Sequence, residues 1–271
     1  MIRTATAADL EEIRALLAAA NNTPYDISRV AAEKCYGPGY AGPATARIYE
    51  LDGRIAGVSV VSHCFLRILA VRRDMRRHGI GAALLLDAGK QAKVVSAEPG
   101  NYFTPGVGLR DEESLHFFRS RGYIDTRWTD NLTVDLAVLP DGRNVKRPQH
   151  SDRERFLEFV GRVFGKIWHF EAAKAFETDP PTGFYAEHDG EIAGFAVHDV
   201  NNRGLGFFGP MGVAQELRKQ GYGRELLLAS LFDLRRLGYA TAVIPWTDSI
   251  EFYRRSCNAR PSERFTVLVR S

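Results

Sequence analysis

Three cysteines in 271 residues leave little room for a disulfide scaffold or a thiolate metal site. Cys35, Cys64 and Cys257 show neither paired spacing nor a metal-ligand pattern. A reducing compartment is the simplest fit, and Cys64 and Cys257 read as small core residues rather than nucleophiles. Long apolar runs are missing too: nothing approaches the roughly 20 residues of a membrane span. Met1 to Thr6 lack the basic segment and apolar run of a secretion signal. Charge of one sign is also scarce. The net charge of +3 is too weak for the basic stripe that nucleic-acid binding usually needs. What remains, 45% apolar and 25% charged residues, is the composition of a folded domain, and these absences place it in the cytoplasm.

What the chain does have, it has twice. Arg76-Arg77-His78-Gly79-Ile80-Gly81-Ala82-Ala83-Leu84-Leu85-Leu86 is answered by Arg218-Lys219-Gln220-Gly221-Tyr222-Gly223-Arg224-Glu225-Leu226-Leu227-Leu228. Upstream, Leu51-Asp52-Gly53-Arg54-Ile55-Ala56-Gly57-Val58 matches His188-Asp189-Gly190-Glu191-Ile192-Ala193-Gly194-Phe195, with Asp-Gly as a hairpin signal. Downstream, Ser114-Leu115-His116-Phe117-Phe118-Arg119 matches Ser249-Ile250-Glu251-Phe252-Tyr253-Arg254. Order is kept, at offsets of 142, 137 and 135 residues. Each copy is large enough to own a core, so this is one domain duplicated in tandem and not a solenoid. The expected division is 1–140 and 146–271, joined by Leu139-Pro140-Asp141-Gly142-Arg143.

Periodicity and turn chemistry predict the same order of elements in each copy. In the first, a strand at 2–5 leads to a helix capped by Thr6 or Asp9, with Leu10, Ile13, Leu16 and Leu17 on one face, and a second helix at 27–35. Strands at 45–51, 54–62 and 65–71 come next, then a helix at 79–93, a strand at 102–107, a helix at 112–119 and a closing pair of strands at 123–136. In the second, Ser151 with Glu154 reads as a capping box for a helix to Val163, and another helix covers 169–177. Strands are expected at 184–188, 191–200 and 205–213, then a helix at 221–237, a strand at 240–245, a helix at 249–255 and a strand at 265–269. Each copy is thus a mixed sheet with helices on its faces, α/β or α+β.

The Arg-x-x-Gly-x-Gly turn suits a pyrophosphate. A helix start leaves N–H groups unpaired and carries partial positive charge, and an anion supplies the missing acceptors. Glycines at 79, 81, 221 and 223 let the backbone approach the ligand, and Arg76, Arg77, Arg218 and Lys219 add positive charge. Two other glycine signatures do not fit. Leu84 and Leu226 stand where a dinucleotide-binding loop wants a third small residue, and the Gly-Lys-Ser/Thr of a P-loop is absent.

At these residues the chain resembles the GNAT acetyltransferase superfamily, whose acetyl-CoA motif is Gln/Arg-x-x-Gly-x-Gly/Ala between a strand and a helix. It is similar to proteins with two fused GNAT domains, also in Gly209-Pro210-Met211-Gly212-Val213 and Pro245-Trp246-Thr247-Asp248. The resemblance implies two tandem domains, each a mixed, mostly antiparallel sheet flanked by helices, with acetyl-CoA as co-substrate. Strand residues Leu69, Val71, Met211 and Val213 would hold the pantetheine arm and the acetyl carbonyl. The motif residues Arg76, Arg77, Gly79, Ile80, Gly81, Ala82, Arg218, Lys219, Gly221, Tyr222, Gly223 and Arg224 would hold the pyrophosphate. The amine attacks directly, leaving a base and an acid to be found.

In this family a Tyr on the last helix commonly protonates the departing sulfur. Tyr253 holds that position in the second copy and Phe118 in the first, which makes the second copy the better catalytic candidate. Tyr123 and Tyr102 are stand-ins in the first copy. For the base, His198, Asp199 and Asp248 lie at strand ends, with Asp248 equally suited to cap the next helix. The family sets its acceptor by the first two helices, here within 25–42 and 164–182, where Trp168, His169, Phe170 and Phe176 suggest either an aromatic cleft or a packing face. The expected reaction is acetyl transfer to a small-molecule or protein amine, by a monomer or homodimer. The competing class is an acyl-CoA-binding or sensing scaffold. A thiol-ligating synthase would need a pocket for a sugar-cysteine, which no residue pattern reveals.

Overall fold

The computed structural model describes residues 1–21, 23, 25–140 and 144–271, so the Asp141-Gly142-Arg143 part of the expected linker lies outside the described residues. They form two compact units, Met1–Thr129 with Arg264–Ser271, and Asp130–Glu263. The division 1–140 and 146–271 follows the duplicated blocks and stands as a proposal about ancestry. The compact units partition the chain differently, because residues 264–271 pack in the first.

In the first unit, β1 (Ile2–Thr4), β2 (Ala44–Leu51), β3 (Arg54–Ser62), β4 (Phe65–Val71), β5 (Val94–Val95) and the end of β12 (Arg260–Val269) lie side by side in that order. Only β4 and β5 run parallel. A short β6 (Val107–Gly108) also pairs with β12. Asp52 and Gly53 both take positive φ, 51° and 73°, as a two-residue hairpin requires. Helices α1 (Leu10–Ala20) and α2 (Ala31–Tyr36) come before β2 in the chain, and α3 (Ile80–Ala88) and α4 (Glu112–Arg119) follow β4. The α1 start is tied by the Thr6 N–H, which donates to Asp9 at 2.7 Å. Ile13, Leu16, Leu17 and Ala20 are its buried stripe. Leu66, Leu85, Val95, Leu115, Phe118, Tyr123 and Leu268 share one core.

The second unit repeats these steps. Helices α5 (Arg153–Phe164) and α6 (Lys166–Ala173) precede a three-stranded sheet ordered β10 (Phe208–Val213), β9 (Glu191–His198), β8 (Gly183–His188). Asp189 and Gly190 form the same hairpin turn, at φ 51° and 82°. Then come α7 (Tyr222–Arg236), β11 (Thr241–Thr247) and α8 (Ile250–Cys257). β11 pairs antiparallel with the second half of β7 (Ile124–Asp135). One core lies among α7, α8 and the strands, around Leu226, Leu228, Ile244 and Tyr253; another joins α5 and α6 to β8 and β9 through Phe156, Val160 and Phe195.

Four local expectations are corrected. β7 is one 12-residue strand and not a pair. Asp130-Asn131 does not turn, because the Asn131 side chain accepts the Trp246 N–H at 3.0 Å inside the ladder. The strand expected at 102–107 is reduced to Val107–Gly108, and Tyr102 and Phe103 are buried outside it. The α5 entry is tied by Gln149, whose N–H donates to Asp152 at 2.8 Å, rather than by Ser151 and Glu154. Cys35 and Cys257 are buried, but Cys64 lies in a hairpin turn and is only half-buried.

Candidate functional site

The two motif turns adopt one conformation. Arg77 and Lys219 have φ of 66° and 65°, Gly79 and Gly221 have 80° and 95°, and α3 and α7 begin at the next residue. Left-handed backbone at the cap position favours glycine. It aims the first helical amides outward, where an anion can meet them. The second motif glycine serves packing. A Cβ on Gly81 would meet Phe117 of α4 and Val71 at 3.4 and 3.5 Å; on Gly223 it would meet Phe252 of α8 and Val213 at 3.6 and 3.7 Å.

The leading arginine also has a structural task. Arg76 donates from Nε to the Val71 carbonyl at 3.4 Å, from Nη2 to Ala20 at 3.3 Å and from Nη1 to Glu113 at 2.7 Å. Arg218 donates from Nε to the Val213 carbonyl at 3.2 Å. Both arginines fasten the turn to the strand before it, and the Glu113 carboxylate offsets the charge of Arg76.

Each unit also carries a bulge and a parting of strands. In the first, Val60 pairs with Ile68 and Val61 with Leu66, so Arg67 is extra. In the second, the register shifts between Phe208 and Met211, around Gly209-Pro210, where a missing N–H costs no ladder bond. β4 and β5 pair only at Phe65↔Val94 and Leu66↔Val95, then separate. In the second unit the matching parallel contact is the single bridge Phe207↔Val243.

A cavity of about 880 Å³ occupies the parting in the first unit. All eight residues expected there to hold the co-substrate, Leu69, Val71, Arg76, Arg77, Gly79, Ile80, Gly81 and Ala82, lie in its wall. Ala20, Asn21, Arg67, Ser96, Phe103 and Arg121 join them. Sequence reasoning missed these six; only Arg67, a charge between Leu66 and Ile68, carried a signal. In the second unit Met211, Val213 and Tyr222 pack against the core. Tyr222 is linked to His188 Nδ1 at 2.9 Å. Arg218, Lys219, Gly221, Gly223 and Arg224 make the second turn and helix start. Over β10 stands Phe164, whose ring would be 2.5 Å from a Cβ on Gly212 and which stacks on Trp168 at 5.1 Å. The α5 position of Phe164 corresponds to Asn21 after α1.

The catalytic candidates are not brought together. Tyr253 on α8 is 9% exposed, packed by Phe208 and Phe252. Its hydroxyl has no hydrogen-bond partner among the described residues. Burial pushes the phenol well above its ordinary value, which keeps it a proton donor. His198 is fully buried, not at the surface: Nε2 is 2.8 Å from Asp233, the ring lies flat on Phe184, and Nδ1 is enclosed without a partner. Arg147 also binds Asp233, at 2.7 Å. Burial raises the Asp233 carboxyl, but hydrogen bonds from His198 and Arg147 outweigh it and hold it below the usual carboxylate range. Asp199 accepts from the Gly204 N–H at 2.8 Å and from Tyr239 at 3.1 Å, a loop-holding arrangement. Asp248 is exposed and does not cap α8, whose cap position is Ser249.

In the first unit Phe118 is buried, and the Tyr123 hydroxyl is bonded to the Ala92 carbonyl. Of the aromatic residues after α5, Phe176 and Trp168 are packing faces, meeting Phe156 at 5.5 Å and Phe195 at 6.0 Å, while His169 is exposed over Gly161. Among the described residues no group of three or more His, Cys, Asp or Glu side chains could hold a metal ion, and no helix is long and apolar enough to cross a membrane.

Known proteins share both halves of this arrangement. Residues 149–259 match the Acetyltransferase (GNAT) family. A mycothiol acetyltransferase of Thermobispora bispora is 29% identical over 226 residues, which are 73% of this chain and 74% of the relative. Among solved structures, a glucosamine N-acetyltransferase region of a fungal multidomain β-N-acetylglucosaminidase aligns with 99% of this chain at TM-score 0.78 and 17% identity; this chain spans 38% of that one. A GCN5-related N-acetyltransferase from Sphaerobacter thermophilus gives TM-score 0.72 at 17% identity, over 99% of this chain and 94% of that one. A tandem GNAT protein from the clavulanic acid biosynthesis pathway gives TM-score 0.71 at 16% identity, over 99% and 97%. At such identities the structural likenesses show the fold, and the family match and the curated relative give the chemical class. Residues 149–259 thus match the GNAT family of acetyltransferases, and the chain as a whole has the fold of GNAT proteins.

Proposed function

We propose that this protein is an acetyl-CoA-dependent N-acetyltransferase that moves the acetyl group to a primary amine of a small molecule or protein in the cytoplasm. The observation that carries the reading is the cavity of the first unit, which runs from the motif turn to the parting of β4 and β5. Its size falls in the range of ligand sites. The residues fit the co-substrate: Arg77 and the amides at Gly79–Ala82 would take the pyrophosphate, and Leu69 and Val71 the pantetheine arm. Acetyl-CoA, when bound, supplies an activated thioester. The curated relative's name supports acetyl as the group moved.

The second unit is the better candidate for the chemistry. In the transfer a C–N bond forms as the C–S bond breaks. Tyr253 would give its proton to the leaving sulfur, and burial keeps that proton in place. Asp248, exposed beside the parting strand, is the more accessible base; His198, held by Asp233, orders β9 against α7 instead. One observation favours a second reading: the unit with the open cavity has Phe118 where Tyr253 would be, so it would hold acyl-CoA without turning it over, as a scaffold or sensor.

Calorimetric titration with acetyl-CoA tests both. Wild type should bind, and Gly79→Glu should abolish the first-unit site by bulk and by charge against the pyrophosphate. Loss of a second site in Gly221→Glu would assign a working grip to the second unit as well. Absence of binding in wild type would overturn the acetyltransferase reading.

A further inference from the structure

At the end of the cavity opposite the motif turn lies a cation that the cavity's acetyl-CoA fit does not use. Arg67 is the bulged residue of β4, is 2% exposed and lines the cavity beside Ser96 and Phe103. Its guanidinium is gripped on two of its three nitrogens. Nε donates to Glu98 at 2.6 Å, and Nη1 donates to the carbonyls of Lys34 and Gly37, both at 2.8 Å. The third, Nη2, is buried without a partner.

A buried donor on a charged group is costly to leave unpaired. The surroundings do not supply the acceptor. Glu98 accepts from Nε through Oε2 and its Oε1 is buried without a partner, so it does not turn that oxygen to Nη2, and Glu33 is engaged by the Lys34 ammonium at 2.6 Å. Lys34 also donates to Asn101 at 2.9 Å. Two cations and two carboxylates balance here, so an incoming anion meets no net negative charge. The second unit has no counterpart, because Gly209 stands at the matching bulge. A guanidinium fixed on one side with an arm left over is pre-organised to bind an oxygen ligand, and a carboxylate makes the strongest such bond.

We infer that Arg67 Nη2 binds a ligand carboxylate at the acyl end of the first-unit cavity, so that this unit selects a carboxylate-bearing acyl group or a carboxylate-bearing acceptor. The inference rests on the acyl-CoA reading of that cavity and adds the chemistry of the second ligand group. The two sources are separated by paired probes on the full chain. For the acyl source, calorimetry compares succinyl-CoA with butyryl-CoA, which are alike in length and differ in the terminal carboxylate. For the acceptor source, calorimetry in the presence of saturating acetyl-CoA compares α-amino acids with their amides.

The expected result is a preference of about tenfold or more for the carboxylate-bearing member of one pair. That ratio should fall towards one in Arg67→Lys, which keeps the charge and loses the fork, and in the double variant Arg67→Met with Glu98→Gln, which leaves no lone buried charge. Reading the ratio within each variant cancels a general loss of affinity. Should a variant fail to fold, the wild-type ratios still decide. Equal affinities within both pairs in wild type overturn the inference, as does a preference that survives in a folded variant. Wild type that binds acetyl-CoA without any carboxylate preference refutes this inference alone; wild type that binds no acyl-CoA refutes the acetyltransferase reading with it.

Discussion

Gly57 and Gly194 explain why the repeat includes the strand before the motif. A Cβ on Gly57 would lie 2.9 Å from Leu84 and 3.0 Å from Ile80; one on Gly194 would lie 2.8 Å from the Gly212 carbonyl and 3.1 Å from Leu226. Leu84 and Leu226 fill the place of a third small residue in the motif, and the small residue sits instead on the central strand that they press against. The helix is thereby held close to the sheet and its first amides are fixed in place. Gly57→Ala should cost about 1–3 kcal/mol through overpacking. The check is the urea midpoint, and a stability equal to wild type would show that α3 can shift freely. Tyr253 is the other decisive residue. Tyr253→Phe should lower turnover with little change in acetyl-CoA affinity, as measured by kcat alongside a binding titration. Because burial raises the phenol above its ordinary value near 10, the wild-type rate should show no alkaline loss from this group below about pH 10. Unchanged turnover in the variant removes Tyr253 from the mechanism.

Among elements, α7 is tied to β9 by charge as well as by its leucines. Asp233 is 5% exposed and meets His198 of β9 and Arg147. Asp233→Asn leaves the partners inadequately paired and should cost about 3 kcal/mol near neutral pH. The native state holds this carboxyl below its unfolded value, so its contribution is complete above the ordinary carboxylate range and fades as pH falls below it. The gap between wild type and variant in urea unfolding should therefore narrow below about pH 4; a gap independent of pH would deny the ion pair its role. Elements with a full period were legible in the sequence. β3, β4 and α4 begin and end at the expected residues, and both Asp-Gly hairpins form. β5 was not legible, although the cavity depends on it, because two residues cannot display a period. The form of the candidate site was legible where it is local, in the glycine turns, and illegible where the cavity wall is assembled from distant segments, as with Asn21, Phe103 and Arg121. Nor could a sequence show that His198 would be buried against Asp233, which lies 35 residues away.

For the whole molecule, the compact units matter more than the order of the repeat. β12 supplies pairing partners to β5 and β6, and Leu268 is fully buried in the first unit's core. A fragment of residues 1–140 lacks these and should show no cooperative melting in scanning calorimetry. The same fragment extended through a short flexible linker to residues 260–271 should regain a transition. Cooperative melting of 1–140 alone would mean that the last strand is dispensable. The order in which the chain is made then acquires a meaning. Domains usually fold as they leave the ribosome, the earlier one first. Here the earlier unit must wait for residues 264–271, which are synthesised after the whole of the second unit. Until they emerge, the nascent first unit has β5 and β6 without their partner strand and its core without Leu268, so a truncated translation product would carry an open sheet edge rather than a finished unit.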